Sequence, residues 1–428
     1  MIPEIEKASP AQIKTFQEEK LKETLRYVNE NSPFYKRFLA ANDIDISEIQ
    51  TLEDLGKLPL TTKDHLQRFN DEFLCVPKTQ LIDYVTTSGT LGDPVTFALT
   101  DKDLERLAYN EAISFACCGV SKNDTLQLMT TMDRRFMAGL AYFLGARKLG
   151  AGIIRVGSGI PELQWDSIKK FNPTYLITVP SFLLKLIEYA KQQQIDLTST
   201  SVKAAICIGE PIREQDFSLN VLAQKIKRDW DIELFSTYAS TEMSTAFNEC
   251  EMHNGGHHHP ELIIAEILDE NNISVSDGEV GELTITTLGV EAMPLLRFKT
   301  GDMVQAYQKP CKCGRNTLRL GPVVGRKKQM IKYKGTTLYP PAMYNILNDF
   351  TEVESYVIEI FHNELGTDEI LIKIASPTVS EELLLDIKDH FRAKLRVAPR
   401  IEFATPEEIE ALRFPPMSRK PIQLIDHR

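Results

Sequence analysis

Hydroxyl side chains and glycines are interleaved in one short stretch of the chain, which reads TTSGTLGDP from Thr86 to Pro94. Glycine lets a backbone fold closely around an anion, and serine and threonine hydroxyls add hydrogen-bond donors. The stretch is not a Walker loop, because the spacing GxxxxGK[ST] is absent. It predicts a phosphate-binding loop with Ser88, Gly89, Thr90 and Gly92 as contacts, while the spacing alone also allows an ordinary surface turn.

Two later stretches carry groups that suit a nucleotide. Tyr238 offers a flat ring for a base, and Thr241 and Glu242 offer oxygens, of which a carboxylate is a natural ligand of Mg²⁺ beside phosphates. The alternative for this stretch is a helix start that is capped by Ser240 or Thr241. Asp302 can accept hydrogen bonds from both hydroxyls of a ribose. An aspartate in a tight turn after a glycine is the alternative there.

Cysteine and histidine are concentrated in two stretches, with Cys311 and Cys313 one residue apart and Cys250 upstream. Thiolates and imidazoles are the ligand set of a closed structural zinc site. The candidate histidines all follow Cys250 and are His253, His257, His258 and His259. Four protein ligands would leave no open position, so the prediction is of a structural metal rather than a catalytic one. Free thiols beside a chance run of histidines are the alternative.

The elements that must position these groups can be predicted from apolar periodicity. Residues 11–30 have the spacing of a helix. Between about residues 100 and 300, apolar runs such as 151–156, 175–179 and 204–208 alternate with amphipathic stretches. This alternation is typical of strands and crossover helices in a largely parallel sheet. The sequence therefore predicts an α/β fold for the greater part of the chain.

The pattern changes after Gly325. Residues 327–335 predict an exposed strand and a turn, and strands at 357–361 and 369–375 follow. Helices near 341–349 and at 381–394 complete about a hundred residues, which is enough for a small α+β domain. We therefore expect two domains, an N-terminal one over residues 1–325 and a C-terminal one over residues 326–428.

Composition excludes several classes of protein. The chain has 428 residues and a formal net charge of −11, whereas a nucleic-acid-binding protein needs a basic face. No apolar stretch approaches eighteen residues and the N-terminus lacks the order of a signal peptide, so no membrane partner is expected. The seven cysteines are an odd number and some stand in apolar runs, which favours buried thiols in a reducing compartment. We expect a cytoplasmic protein, with a homodimer as one candidate assembly.

The order of these motifs resembles that of the acyl-adenylate-forming superfamily, and specifically its phenylacetate–coenzyme A ligase branch. The likeness runs nearly end to end and includes four further stretches, at residues 31–35 (NSPFY), 58–64 (LPLTTKD), 208–211 (IGEP) and 324–328 (VGRKK). It implies a large N-terminal adenylate-forming domain with mixed sheets and helices, which binds ATP and the acid, and a small mobile α+β C-terminal domain. The implied activity is an ATP-dependent acid–CoA ligase with Mg²⁺ and coenzyme A, acting on an aryl or other apolar carboxylic acid. There are two alternatives. One is an acid-adenylating enzyme that loads a carrier protein, and the other is a nucleotide-binding protein that has lost catalysis.

The resemblance also implies roles for individual residues. Glu242 becomes the carboxylate on the metal and phosphate side, Asp302 the ribose ligand and Lys328 the hinge, while Lys420 stabilises charge during adenylation. The segment that packs against adenine is Gly209, Glu210 and Pro211, with Arg326 as a further nucleotide contact. The segment bordering the acid pocket supplies Phe136, Met137 and Tyr142, and the zinc set becomes Cys250, His257, Cys311 and Cys313.

Two positions depart from the family pattern. Asp93 stands where many relatives have lysine, and Arg419 replaces the glycine that usually precedes the mobile lysine. By this resemblance, we expect the first change to remove a cation beside the triphosphate and the second to stiffen the loop that carries Lys420.

Overall fold

Two compact units make up the chain, Met1–Pro322 and Val323–Arg428. The computed structural model describes residues 2–87, 94–334, 336–363, 367–414 and 422–428. The predicted division at residue 325 falls close to this boundary, and the roles predicted for the two parts stay predictions. None of the described helices has the length and apolarity needed to cross a bilayer.

The first unit contains helices and strands in alternation. Its helices are α1 (Glu4–Lys7), α2 (Pro10–Asn31), α3 (Pro33–Ala41), α4 (Lys63–Arg68), α5 (Asp101–Cys117), α6 (Met137–Leu149), α7 (Pro161–Phe171), α8 (Pro180–Gln192) and α9 (Val221–Asp229). Its strands are β1 (Asp83–Thr86), β2 (Thr96–Leu99), β3 (Thr125–Leu128), β4 (Gly152–Arg155), β5 (Tyr175–Thr178), β6 (Ala204–Cys207), β7 (Glu233–Ser240), β8 (Thr245–Asn248), β9 (Gly256–His257), β10 (Ile263–Leu268), β11 (Val280–Thr287), β12 (Phe298–Tyr307) and β13 (Arg319–Leu320).

A large mixed sheet, with strand order β4-β3-β5-β6-β7-β8-β9-β13-β12-β11-β10, organises this unit. The strands from β4 to β7 pair in parallel. From β7 to β10 the pairing is antiparallel. The chain adds β4 on one side of β3 and then β5 on the other, so the strand order reverses between β3 and β5. In open α/β sheets such a reversal leaves a crevice outside the carboxyl ends of the strands, where ligands bind.

The central parallel strands β5 and β6 are buried on both faces. Tyr175 and Ile177 of β5 lie in one hydrophobic cluster, whereas Leu176 between them lies in another. Successive side chains of a strand point to opposite faces, so the two clusters cover the two sides of the sheet. Burial on both faces explains why these strands read as continuous apolar runs. The α/β fold predicted from those runs is confirmed.

The second unit is a small α+β structure. It contains β14 (Gly325–Arg326), β15 (Ile331–Tyr333), β16 (Thr336–Leu338), α10 (Pro340–Asp349), β17 (Ser355–His362), β18 (Asp368–Ala375), α11 (Glu381–Leu395), β19 (Arg400–Phe403), α12 (Pro406–Arg413) and β20 (Leu424–Asp426). A four-stranded sheet has the order β19-β18-β17-β20, with the central pair antiparallel. A strand is present within the predicted stretch 327–335, as β15, but the prediction that it is exposed is wrong. Ile331 and Tyr333 are buried in the core of this unit, and only Lys332 between them faces solvent.

Candidate active site

A tyrosine and an aspartate from two strands of the large sheet meet in the first unit. The hydroxyl of Tyr238, on β7, donates a hydrogen bond of 2.7 Å to Oδ2 of Asp302, on β12. Gly301 has a left-handed backbone with φ of 79°, and the pairing of β11 with β12 is irregular at this point. Such an irregularity redirects a side chain out of the regular strand pattern. Asp302 is therefore a strand residue in a bulge rather than part of a free turn.

Glu242 lies in the turn that connects β7 with β8. The carbonyl of Thr241 accepts a hydrogen bond of 3.3 Å from the Ser244 amide and closes this turn. The alternative of a helix start capped by Ser240 or Thr241 is therefore wrong, because an antiparallel strand follows. Burial raises the pKa of Glu242, and the charge of Asp302 raises it further. The two carboxylates are thus close enough to repel each other, an arrangement that a divalent cation would stabilise.

Helix α5 holds the turn that carries Glu242. The buried guanidinium of Arg106 donates a hydrogen bond of 2.6 Å to the carbonyl of Ser244. One turn further along, Oδ1 of Asn110 accepts bonds from the Thr245 hydroxyl at 2.5 Å and the Ala246 amide at 3.1 Å. Sequence reasoning missed both residues, since an arginine and an asparagine in an amphipathic helix carry no signal of partners so far along the chain.

A third residue that sequence reasoning left without a role is Lys63. Thr61 lies against the start of β12. Its carbonyl accepts a hydrogen bond of 2.9 Å from the Lys299 amide, and it forms a parallel β-bridge with Phe298. This attachment brings Lys63 near Glu242, where its positive charge opposes the rise in the pKa of that carboxyl.

The segment predicted to pack against adenine follows β6. Gly209 has φ of 76°, so the chain turns there in a conformation that favours glycine. The carboxylate of Glu210 accepts two hydrogen bonds of 2.9 Å from the amide and hydroxyl of Ser181, in the first turn of α8. Pro211 is exposed. The side chain of Glu210 is therefore engaged in holding the loop against α8, and the loop offers main-chain groups to a ligand.

The predicted acid-pocket residues lie at the start of α6. Phe136 is 37% exposed, whereas Met137 and Tyr142 are buried. The ring of Tyr142 lies 6.0 Å from that of Phe115, within the hydrophobic cluster on one face of the sheet. Phe136 thus lies at the surface and the other two residues lie inside, as the wall of a pocket or as part of the core.

Several predicted residues are placed outside these groups. Arg326 lies in β14 and Lys328 in the 3₁₀ turn Lys327–Gln329, both in the second unit. The residues outside the described part of the chain are Ser88, Gly89, Thr90, Gly92, Asp93, Arg419 and Lys420. The stem of the predicted phosphate loop is described, and the Thr87 amide donates a bond of 2.9 Å to the carbonyl of Val95.

Four of the candidate zinc ligands come together in space. The ligand atoms of Cys250, His257, Cys311 and Cys313 all lie within 4.8 Å of one another. Nδ1 of His257 lies 3.1 Å from the Thr317 hydroxyl, which leaves Nε2 turned toward the thiols, 3.4 Å from Sγ of Cys313. Burial lowers the pKa of His257 and so favours the neutral ring that a metal requires. The thiol and imidazole donors fit a tetrahedral zinc ion.

The other histidines have partners elsewhere. Nε2 of His258 lies 2.6 Å from the carbonyl of Ile263, and Nδ1 of His259 pairs with the buried carboxylate of Glu6. Nε2 of His253 lies 3.3 Å from a carboxylate oxygen of Glu233. Of the four candidate histidines, the structure therefore brings only His257 to the three cysteines.

A buried ion-pair cluster next to the thiols was not predicted. Glu6, in the short helix α1, is fully buried and accepts a hydrogen bond of 2.7 Å from Nε of Arg315. A second nitrogen of Arg315 lies 3.5 Å from Sγ of Cys313. The N-terminal helix is thereby linked to the cysteine cluster through one guanidinium, a contact between residues 309 positions apart that no local motif signals.

Comparison with known proteins places this geometry in a family. The family model described as AMP-binding enzyme matches residues 16–292. A phenylacetate–coenzyme A ligase of Thermus thermophilus is 30% identical over 390 residues, covering 90% of this chain and 85% of that protein. A phenylacetate–coenzyme A ligase of Aromatoleum evansii is 26% identical, with 95% and 93% covered. Among solved structures, a 2-hydroxyisobutyryl-CoA ligase in the postadenylation state superimposes with a TM-score of 0.85 at 21% identity, covering 100% of this chain and 92% of that one.

Proposed function

Because the chain belongs to the AMP-binding enzyme family, in its phenylacetate–coenzyme A ligase-like branch, we propose that it is an AMP-forming acid–CoA ligase. The observation that carries the proposal is the group formed by Tyr238, Asp302 and Glu242, which offers a ring for a base, a carboxylate for a diol and a carboxylate for a cation. The substrate class is an aryl or other apolar carboxylic acid, a class that the names of the relatives and the apolar start of α6 support.

The first step is transfer of the adenylyl group to the acid. A carboxylate oxygen of the acid attacks the α-phosphorus of ATP, the bond from that phosphorus to the bridging oxygen breaks, and pyrophosphate leaves. Asp302 accepts hydrogen bonds from the ribose hydroxyls, and the Tyr238 hydroxyl orients its carboxylate for this role. Gly209, Glu210 and Pro211 border the adenine. Holding both reactants in line is a large part of the rate enhancement in such a transfer.

The second step transfers the acyl group to coenzyme A. The thiolate attacks the carbonyl carbon of the adenylate, and AMP leaves with the oxygen that joined it to the acid. Two reactions at one site need different groups at different times, and rotation of a small domain can supply them. In our proposal the second unit turns at Lys328, with Lys420 present for adenylation and Arg326 contacting the nucleotide.

Two metals belong to the proposal. Magnesium would be held by Glu242 and by the phosphates of ATP, and it would neutralise charge on the departing pyrophosphate. Glu242 fits this role because the carboxylate of Asp302 lies near it, and the two negative charges together would attract a divalent cation. Zinc would be held by Cys250, His257, Cys311 and Cys313 as a structural ion, since four protein ligands fill its coordination. A cytoplasmic location and a homodimer stay predictions.

The experiment that tests the function is a screen of carboxylic acids for ATP-dependent release of AMP, with and without coenzyme A. We expect steady AMP release with an aryl acid only when coenzyme A is present. If AMP is released only when a carrier protein is added, the acyl acceptor is the carrier protein and not coenzyme A. If no acid gives AMP under any condition, the chain is a nucleotide-binding protein without this activity and the proposal is wrong.

A further inference from the structure

Two consecutive arginines stand in an unusual backbone conformation where the loop after β3 approaches α6. Arg134 and Arg135 have φ of 58° and 59°, in the left-handed region that side chains other than glycine rarely adopt. Both are exposed at the surface. Such conformations persist when surrounding contacts hold them, and they are concentrated at sites of function. The sequence analysis gave these arginines no role.

The contacts that hold this loop come from both sides. On one side, the Thr86 amide donates a hydrogen bond of 3.0 Å to the carbonyl of Arg135. On the other side, α6 packs so closely that a Cβ added at Gly139 would lie 2.0 Å from the carbonyl oxygen of Thr131. The arginine loop, residues 131–136, is therefore fixed between the Thr86 strand end and the first turn of α6.

The topology places this loop beside a ligand crevice. It follows the carboxyl end of β3, and the strand order reverses between β3 and β5. Ligands of open α/β sheets bind outside the carboxyl ends of strands at such a reversal. Thr86, which contacts the loop directly, is also the first residue of the stretch TTSGTLGDP that predicts phosphate binding.

The charge around that stretch makes the arginines informative. Residues 79–101 contain three aspartates and no lysine or arginine, and the whole chain carries a net charge of −11. A triphosphate bound there needs positive charge from another segment. Among the described residues, the ion-pair partner of Arg134 is Asp133, at 3.8 Å on the open surface, and none holds the Arg135 guanidinium. An exposed pair of this kind is weak, so both guanidinium groups can turn to a phosphate.

We propose that Arg134 and Arg135 bind the β- and γ-phosphates of ATP and supply the cationic charge that residues 79–101 lack. This inference rests on the proposed function, because it concerns the same nucleotide. Guanidinium groups bind phosphate oxygens through two parallel hydrogen bonds, and both of these side chains are exposed on one short loop. The AMP portion of the nucleotide, by contrast, is bound by the Tyr238 and Asp302 group.

The experiment compares nucleotides that differ only in their terminal phosphates. Binding of Mg·ATP and of AMP to the full chain is measured by calorimetry for R134Q, R135Q and the double variant. We expect ATP to bind roughly 10-fold more weakly for each arginine removed, with AMP affinity unchanged. Lysine at both positions should restore part of the ATP affinity, since it keeps the charge without the paired hydrogen bonds.

R147Q is the matched control. Arg147 is an exposed arginine in the last turn of α6, a helix of 13 residues that begins next to the arginine loop, so it lies about 15 Å from the loop. Its loss should leave ATP and AMP affinity as in the unchanged protein. Thermal unfolding of each variant, measured alongside, shows whether a loss of binding reflects loss of structure.

Three results would overturn the inference. ATP and AMP weakened equally would mean that the arginines act on the whole site rather than on the terminal phosphates. A raised KM for coenzyme A, with ATP binding unchanged, would assign them to the phosphates of that substrate, and a raised KM for the acid alone would assign them to the acid. If the unchanged protein binds ATP but turns over no acid, the proposed function fails, while the comparison of ATP with AMP still decides the role of the arginines.

Discussion

Asp302 is the residue on which the proposed nucleotide site depends most directly. Its carboxylate is nearly buried and is oriented by the hydroxyl of Tyr238 and by the bulge at Gly301. A side chain held in this way presents its acceptor oxygens at fixed positions, which is what recognition of two adjacent hydroxyls requires.

Asp302→Asn should weaken ATP binding by roughly 10- to 100-fold, because it replaces a charged acceptor with an amide that offers one acceptor and one donor. Tyr238→Phe, which removes the orienting bond but leaves the carboxylate, should have a smaller effect. Calorimetry with AMP measures both, since AMP contains the ribose. Equal affinity in the Asp302→Asn protein and the unchanged one would remove Asp302 from the ribose site.

Sequence reasoning could assign roles to residues where the chemistry is local, and these roles stay predictions. Tyr238, Glu242 and Asp302 stand in short motifs whose side chains can be assigned roles from their types alone, and the structure brings them to one place. Arg106 and Glu6 could not be found in this way. Their partners are Ser244 and Arg315, residues 138 and 309 positions away, and only the folded chain brings each pair together.

At the scale of elements, α5 is the helix that links the core to the site. It packs closely on α6, where a Cβ added at Gly145 would lie 2.2 Å from Cβ of Glu111. Glu111 is buried on this interface, its Oε2 has no hydrogen-bond partner among the described residues, and burial raises its pKa to about 8. Its carboxyl is therefore protonated in the folded protein at neutral pH, whereas the unfolded chain ionises it near its ordinary value.

This difference predicts how stability changes with pH. Because the folded pKa is raised, the contribution of Glu111 to stability is fully present below the unfolded pKa of 4.5 and is lost as pH rises toward 8. Chemical denaturation at several pH values should show the free energy of unfolding falling over this window by on the order of 3–5 kcal/mol.

Glu111→Gln should flatten that dependence, because the amide does not titrate. The comparison between the two proteins isolates this one group from the other carboxyls. A variant whose stability changes with pH as steeply as that of the unchanged protein would mean that Glu111 does not titrate between these limits.

The elements themselves could largely be predicted, and the exceptions have physical causes. The apolar runs at 175–179 and 204–208 became β5 and β6, because strands buried on both faces need apolar residues at every position. The run of lysines near residue 328 suggested an exposed strand, yet the strand begins at Ile331 and buries alternate residues. The lysines correctly indicated which residues face solvent. They did not indicate that Ile331 and Tyr333, on either side of Lys332, lie in the core.

At the scale of the whole molecule, the cysteine cluster ties distant segments of the first unit together. It joins the turn after β8 with the segment before β13, and Arg315 connects it to the N-terminal helix. A zinc ion bound there would stabilise the fold by the free energy of binding, since the unfolded chain does not present the four ligands together.

Protein prepared without a histidine tag should therefore contain about one zinc ion per chain, since the four ligand atoms fit a single ion. Cys311→Ser should lose the metal and unfold at a temperature several degrees lower, because one of four ligands is missing. His253→Ala, which changes a histidine engaged with Glu233, should keep the zinc. Metal analysis of each purified protein measures the bound zinc. If the unchanged protein contains no zinc, the cysteines are free thiols and the proposed zinc site is wrong.

The second unit contributes to the account through Lys420. If this lysine acts only in adenylation, Lys420→Ala should abolish acid-dependent exchange of pyrophosphate with ATP. The same variant should still convert added acyl-adenylate and coenzyme A to thioester, because that step does not use the lysine. Exchange at nearly the normal rate in the variant would remove Lys420 from the mechanism.

If the acid becomes an adenylate before it becomes a thioester, one of its carboxylate oxygens must move to AMP, and an oxygen label can follow this transfer. The protein is incubated with ATP, coenzyme A and an aryl acid that carries ¹⁸O in its carboxylate, and the masses of the products are measured by mass spectrometry. Formation of an adenylate predicts acyl-CoA and AMP in equal amounts, with one labelled oxygen moved from each acid molecule to the phosphate of AMP. Label recovered in inorganic phosphate with ADP, or thioester formed with no label in AMP, would contradict it.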